Sequence, residues 1–501
     1  MYILMIVVFV LGYLAIALEH KIKVDKAASA LLIGVVTWAI YALNATEILS
    51  LGINQAWNDL IAGYTMSPEH LNGLANHFVK HELGHHLIEI SEILFFLLGA
   101  MTIVEVVDHH QGFKIITDKI TTTNKVKLLW IIGILTFFMS AALDNLTTTI
   151  VMLTLLKKLI DDKETRWLYA SIVVLTANAG GAWSPIGDVT TIMLWIGGQI
   201  TALNIILKVM IPALVSAIVP LAILSFTMKG EITRPQLEEA KEFTTEKERN
   251  QIFFIGVSAL LFVPIFKTVT HLPPYMGMLL GLGVIWLVTD LMHKHKPDED
   301  KRHLSVISVL SKVDVPTVFF FLGILTAVAS LQSAGHLVET AQWLDTITGK
   351  NVYVIDAAIG VLSSIVDNVP LVAGAMGMYE ISHTTPAFMV DGTFWELLAY
   401  TAGTGGSILI IGSAAGVAAM GIEKIEFGWY MKKISLLALL GYFAGIGAFA
   451  IQDSIIHIQG EDDEIEQVNY EGDEHTVRDQ DIIHLKSEMI LDIKREQEVE
   501  K

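Results

Sequence analysis

The 501-residue chain is 53% hydrophobic and 17% charged, and its mean hydropathy of +0.56 excludes an ordinary soluble globule. A net charge of −19 excludes a basic nucleic-acid surface, and the absence of cysteine excludes disulfides and thiolate metal sites. Many stretches reach the roughly 20 apolar residues that a bilayer crossing needs, so the expected fold is an all-α polytopic membrane protein.

The first apolar run, 2–18, lacks the basic start and small-residue cleavage site of a signal peptide. It is expected to stay as the first membrane helix. With no transit-peptide character either, the expected location is a bacterial inner membrane, spanned many times. A second crossing covers 27–44, and an amphipathic insertion over 45–86 suits the membrane interface. Within it, His81-Glu82-Leu83-Gly84-His85 satisfies the HExxH pattern of zinc proteases. No clear third ligand follows, and no zinc is expected. His77, His81 and His85 share a helical face and are candidates for pH sensing. The third crossing, 87–107, carries Glu89, Glu92 and Glu105, candidates for a proton relay or gate.

The next run, 128–158, holds Asp144-Asn145 near its middle, and 352–379 holds Asp367-Asn368 in the same way. A straight crossing would put each carboxylate at the bilayer centre, at a cost of about 2.5–3.5 kcal/mol. A re-entrant helical hairpin instead buries the pair at its tip, and Pro370 supports a break there. Loop charges agree. Lys21, Lys23 and Lys26 place the end of the first helix in the cytoplasm, and Lys114 to Lys127 follow the third crossing. If 128–158 returns to the side it entered from, Lys157, Lys158, Lys163 and Arg166 are cytoplasmic as well.

Two further runs, 167–198 and 394–422, are interrupted by glycine and polar residues: Asn178-Ala-Gly-Gly with Gly187-Asp188, and Thr401-Ala-Gly-Thr404-Gly-Gly-Ser407 with Gly412-Ser413. Unwound backbone at membrane depth is tolerable only when buried or lining a cavity. The remaining crossings are 203–227, 251–267, 275–292, 316–334 and 434–451. That gives about 10 transmembrane helices, two of them broken, plus the two hairpins.

Asp144 and Asp367 are 367 − 144 = 223 residues apart, Gly180 and Gly405 are 405 − 180 = 225 apart, and Gly99 and Gly323 are 323 − 99 = 224 apart. One order at nearly one offset implies a duplication, with a first repeat over 1–227, a charged linker over 228–250 and a second repeat over 251–451. Five crossings and one hairpin per repeat make the copies inverted. The tail, 452–501, carries 16 acidic and 5 basic residues and is expected to be a solvated extension.

Carboxylates and helix breaks inside a duplicated membrane protein mark an ion or substrate pathway. Asp144 and Asp367 are hard oxygen ligands for a small cation, and once buried they would hold cation or proton in competition. Asn145, Thr147, Thr148, Ser364 and Asn368 add neutral oxygens. Asp188 is acidic in the first broken helix where Ser413 stands in the second, so the site is asymmetric. The Asp-Asn pairs also suit plain helix capping.

The runs Phe96-Leu-Leu-Gly-Ala-Met-Thr-Ile-Val-Glu105, Asp108-His-His-Gln-Gly-Phe113, Ala142-Leu-Asp144-Asn145-Leu-Thr-Thr-Thr and Asn178 through Gly187-Asp188-Val-Thr-Thr resemble the NhaD-type sodium/proton antiporters, over about residues 1–451. These belong to an ion transporter superfamily that includes arsenite pumps, citrate carriers and dicarboxylate/sodium symporters. The resemblance implies exchange of Na⁺, and also Li⁺, for H⁺ by alternating access in a lipid membrane, without a cofactor and in a possible homodimer. It makes Asp144 and Asp367 the principal carboxylates with Asp188 third, and Asn145, Asn178, Thr190, Thr191, Ser364, Asn368, Thr404 and Ser407 the oxygen donors. The rival readings are an anion carrier of the citrate–metal or arsenite type and an HExxH membrane metalloprotease.

Overall fold

A computed structural model describes residues 1–62, 67–235, 244–297, 301–302 and 304–460. Most of the acidic tail and the middle of the 228–250 linker lie outside these residues. Among the described residues no β-strand forms, and the one isolated bridge joins Asn124 to Glu231.

The first half runs through α1 (Tyr2–Ala17), α2 (Lys26–Leu43), α3 (Pro68–His109), α4 (Lys125–Leu143), α5 (Asn145–Leu159), α6 (Lys163–Ala182), α7 (Val189–Ile196) and α8 (Ala202–Thr227). The second comprises α9 (Glu246–Thr270), α10 (Pro274–Met292), α11 (Val315–Ser333), α12 (His336–Thr348), α13 (Val352–Leu362), α14 (Asn368–Met378), α15 (Thr393–Gly405), α16 (Ala414–Glu423) and α17 (Ser435–Gly460). Among the described residues, eight helices are long and apolar enough to cross a membrane. Helix starts are set by polar caps. Asp25 accepts from the Ala27 amide at 2.8 Å, Asn124 from Lys127 at 3.0 Å and Asp162 from Thr165 at 2.8 Å, while Thr245 and Glu248 form a reciprocal capping box on α9.

Two predicted elements change. The third crossing starts at Pro68, so residues 68–86 of the expected interfacial insertion form one continuous helix with it; 42 residues give a rod of about 63 Å. The 335–351 stretch, between the 316–334 crossing and the second hairpin, is mostly the helix α12.

Hydrogen bonds fix the sense of the hairpins. At the start of α4, Lys125 N donates to Gly230 O at 3.1 Å; beyond the end of α5, Asp161 N donates to Thr233 O at 2.9 Å. Both mouths of α4–α5 therefore sit on the segment 230–233, on one face of the protein. The mouths of α13–α14 lie on the opposite face. There Tyr379 donates to Asp345 at 2.9 Å, and Asp391 N donates to Gln199 O at 2.9 Å beyond the end of the first broken helix. The hairpins thus enter from opposite sides, with the lysine-rich face holding the mouth of α4–α5.

Outside the hairpins, α2 crosses α11 in close contact. Trp38 Nε1 donates to Thr326 O at 2.8 Å and the Tyr41 hydroxyl to Ser333 O at 2.9 Å. At the lysine-rich face the ends of α3 and α10 are joined by stacked imidazoles. His110 Nδ1 lies 2.7 Å from Val106 O, and its Nε2 lies 2.9 Å from His293 Nε2.

Burial, above all, pushes His110 down to about 4, and burial likewise lowers His293. The folded protein holds the pair neutral while an unfolded chain takes up protons below about 6.5, so stability is lost as pH falls from there towards 4. His110 alone contributes a loss of about 2 kcal/mol by pH 5. The apparent melting temperature in detergent should fall between pH 7.5 and pH 5. In His110→Asn, whose amide can still donate to Val106, the fall should shrink; an unchanged fall would remove the imidazole as its source.

Candidate functional site

The two hairpin tips and the two helix breaks meet in the protein interior. Each hairpin is tied to a broken helix by the same bond. Ser140 donates to Ala177 O at 2.6 Å and Ser363 to Ala402 O at 2.9 Å, related by 363 − 140 = 223 and 402 − 177 = 225. Close approach is possible because both contact points lack side chains. A Cβ on Gly180 would run into the Phe137 carbonyl, and one on Gly405 into the Gly360 carbonyl. Any larger residue would push the hairpin off its helix.

Asp188 stands at the centre. It is 1% exposed and caps α7, its Oδ1 accepting from Thr190 N at 3.1 Å. From one hairpin Asn145 Nδ2 donates to Oδ2 at 2.9 Å. From the other, Asn368 Nδ2 approaches Oδ1 and Oδ2 at 3.4 and 3.3 Å. One carboxylate therefore ties both hairpins together. Among the described residues no basic side chain pairs with it. A buried carboxylate with amide donors and no countercharge is stable only when a cation or a proton joins it.

The network continues into the second half. Asn178 Oδ1 accepts from Asn145 at 3.1 Å, while its Nδ2 donates to Ser407 and Ser413, each at 2.8 Å. Ser413 caps α16 as Asp188 caps α7, at 413 − 188 = 225. The position equivalent to Asn178 is 178 + 225 = 403, a glycine. A Cβ there would lie 3.6 Å from Asp188 Oδ2 and 3.1 Å from the Ala182 methyl. Ser413 receives the Asn178 amide, whereas the equivalent position beside Asp188 is Gly403, which offers no side-chain donor.

Asp144 and Asp367 hold the turns. Asp144 caps α5, accepting from Thr147 N at 2.7 Å and the Thr147 hydroxyl at 2.8 Å. Its backbone, at φ 78 and ψ 161, occupies a region that is nearly glycine-only and costs on the order of 1–3 kcal/mol. Asp367 caps α14, accepting from Val369 N at 3.4 Å, and its Oδ2 lies 3.8 Å from Lys26 Nζ on α2. Thus the aspartates of the repeated pairs cap the hairpin arms, while the asparagines reach the centre.

Other expected donors are spread around this core. Thr148 is fully buried with its hydroxyl unpartnered. Thr191 approaches Ala182 O at 3.5 Å, Thr404 donates to Tyr400 O at 2.6 Å, and Ser364 donates to Val361 O at 2.7 Å. Their hydroxyl oxygens keep lone pairs. Ser140, Ser363 and Ser413 were absent from the sequence-derived set, although the repeat offset alone pairs Ser140 with Ser363 and Asp188 with Ser413.

The remaining candidates lie elsewhere. Glu89 sits at the middle of α3 and Glu105 near its C-terminal end, and neither is among the groups bonded to Asp188. His77 is exposed and His81 half-buried. Glu82 of the HExxH run accepts from Ser333 at 3.2 Å, so it is a packed link to α11 and not a free base.

A family described as Citrate transporter matches residues 5–405 of the chain. Sodium/proton antiporter 1 of Arabidopsis thaliana is 46% identical over 450 residues, 89% of this chain and 71% of the relative. Sodium/proton antiporter 2 of the same plant is 45% identical over 447 residues, 88% and 97%. The Na(+)/H(+) antiporter NhaD of Vibrio parahaemolyticus is 30% identical over 415 residues, 76% and 94%. The metalloprotease reading falls with these matches. The chain belongs to the citrate-transporter family, in its NhaD-type sodium/proton antiporter branch, and is a multi-pass membrane carrier and not an enzyme.

Proposed function

We propose that this protein exchanges Na⁺, and also Li⁺, for H⁺ across a bacterial inner membrane, with Asp188 binding the two species in turn. The observation that carries this reading is a fully buried carboxylate bonded to both hairpins and paired with no basic group among the described residues. Cation and proton are alternative ways to neutralise it, and mutually exclusive occupancy is sufficient for exchange. The cation would sit beside Asp188 Oδ2, on the side where Gly403 presents only backbone, with side-chain oxygens from the Asn145, Asn178 and Thr148 neighbourhood completing its shell.

Asp144 and Asp367 flank this centre. The strained backbone of Asp144 supports a functional role, since strain of that size persists where the site requires it. Asp367 is already paired with Lys26 on a helix outside the hairpins, and its share is to couple hairpin position to that neighbour. The two hairpins, opening to opposite faces, would act as alternate gates. An organic anion fits poorly: a carboxylate at the centre repels it, and among the described residues no basic side chain offsets that charge.

The test uses everted vesicles with an acid interior and a pH-sensitive dye, to which NaCl, LiCl, KCl and citrate are added separately. Dequenching by Na⁺ and Li⁺ without citrate is the expected result. A response to citrate alone would move the protein to the anion-carrying side of its family. Asp144→Asn and Asp367→Asn should each cut the sodium response severely while leaving the protein inserted.

A further inference from the structure

Away from the hairpins, α3 carries a second group of ligating side chains whose geometry the exchange reaction leaves unexplained. His85, His86 and Glu89 place their ligand atoms within 4.8 Å of one another. Glu89 Oε2 lies 3.3 Å from His86 Nδ1, and Oε1 lies 3.7 Å from His85 Nδ1. Three residues within two turns supply all three groups, with His85 and Glu89 one turn apart on one helix face. The cluster sits at the level of Ser333, the last residue of α11, near the polar loop whose Asn54 donates to Ser333 O at 2.8 Å. That is the end of the helices away from the lysine-rich face.

Hydrogen bonding fixes how His86 presents itself. Its Nε2 lies 3.1 Å from Ser333 Oγ, and that hydroxyl donates to Glu82 Oε2 at 3.2 Å. A hydroxyl has one proton, and a carboxylate can only accept it. Ser333 therefore gives its proton to Glu82 and receives one from His86 Nε2. The neutral ring is left with a bare Nδ1 aimed at the Glu89 carboxylate. Two acceptors cannot face each other at that distance without a positive species between them. A second ring nitrogen bonded to a fixed partner is also how metal-bound histidines are held.

We infer that His85, His86 and Glu89 form a divalent transition-metal site, of which Zn²⁺ is the natural occupant. Zn–N and Zn–O bonds of about 2.0–2.2 Å around a tetrahedron put neighbouring ligand atoms about 3.4 Å apart, close to the 3.3 and 3.7 Å that separate Glu89 from the two imidazoles. Three protein ligands leave the fourth position to water. His81, the first histidine of the HExxH run, is not part of the site, and Glu82 serves it only through Ser333.

Isothermal titration of the untagged full-length protein with ZnCl₂ at pH 7.5 tests this, alongside His85→Gln, His86→Gln, Glu89→Gln and His81→Ala. His85→Gln and Glu89→Gln change partly exposed side chains and serve as the fold-safe variants. The expected result is one site per chain that weakens at least about tenfold in each of the three ligand variants and is unchanged in His81→Ala. Zinc absorption spectra of the loaded protein should show nitrogen and oxygen neighbours near 2.0–2.2 Å. No saturable zinc binding, equal binding in Glu89→Gln, or loss in His81→Ala would each overturn the assignment.

Discussion

Asp188→Asn is expected to abolish sodium-driven proton movement while leaving the protein inserted and monodisperse. The substitution is nearly isosteric, so packing around the centre survives. An amide at 188 can still accept from Asn145 or Asn368, but its own NH₂ then faces the other donor, and no negative charge remains to hold a cation. Loss of about 3 kcal/mol or more of ion binding corresponds to at least about 100-fold in affinity. Sodium-induced stabilisation reads this directly, because a ligand that binds only the folded state raises the melting temperature by mass action. Wild-type protein should melt higher as Na⁺ rises, and Asp188→Asn should not respond. Asp144→Asn and Asp367→Asn should retain part of the sodium-induced shift while losing flux, because their carboxylates cap helices and pair with Thr147 and Lys26. Full sodium response in Asp188→Asn, with loss in Asp144→Asn, would move the centre to the hairpin tip.

That ranking differs from the one the sequence suggests, and the reason is physical. Asp144-Asn145 and Asp367-Asn368 stand out because they repeat, and repetition draws attention to whatever both halves need. Both halves need a capped hairpin arm, and the aspartates supply it. In the proposed mechanism the binding charge is instead the residue that breaks the repeat, Asp188 opposite Ser413. The hairpins, the broken helices and the opposite directions of entry were legible because a carboxylate or a glycine pair inside an apolar run has few tolerable structures, and because lysines mark one face. The length of α3 was less so, since hydropathy reports where a helix meets lipid and not where it begins; Ser67-Pro68, a cap followed by proline, was the local signal. The pairing of His110 with His293, 183 positions apart, leaves no trace in local pattern. His86 escaped for a related reason: the HExxH spacing directs attention to His81 and His85, while burial selects their neighbour.

Gly403→Asn should eliminate sodium binding by completing the symmetry that the protein lacks. In one half, Asn178 donates to the cap of the other half's broken helix, Ser413. An asparagine at 403 would do the same to Asp188, its Cβ already 3.6 Å from Oδ2. The amide would then satisfy the carboxylate and fill the space proposed for the cation. A methyl group alone brings no donor, so Gly403→Ala is the control. It must displace the Ala182 methyl by a few tenths of an ångström from the 3.1 Å contact, which should slow exchange without removing the sodium-induced melting shift. The double variant Gly403→Asn with Asp188→Ser rebuilds the Asn178–Ser413 arrangement in the other half. It should insert yet carry no ion, and melt lower than the wild type, because one hydroxyl cannot accept from Asn145, Asn368 and the new amide together. Sodium binding retained in Gly403→Asn would place the ion elsewhere around Asp188. A melting shift already lost in Gly403→Ala would show that packing at this crossing, and not the donor, governs the site.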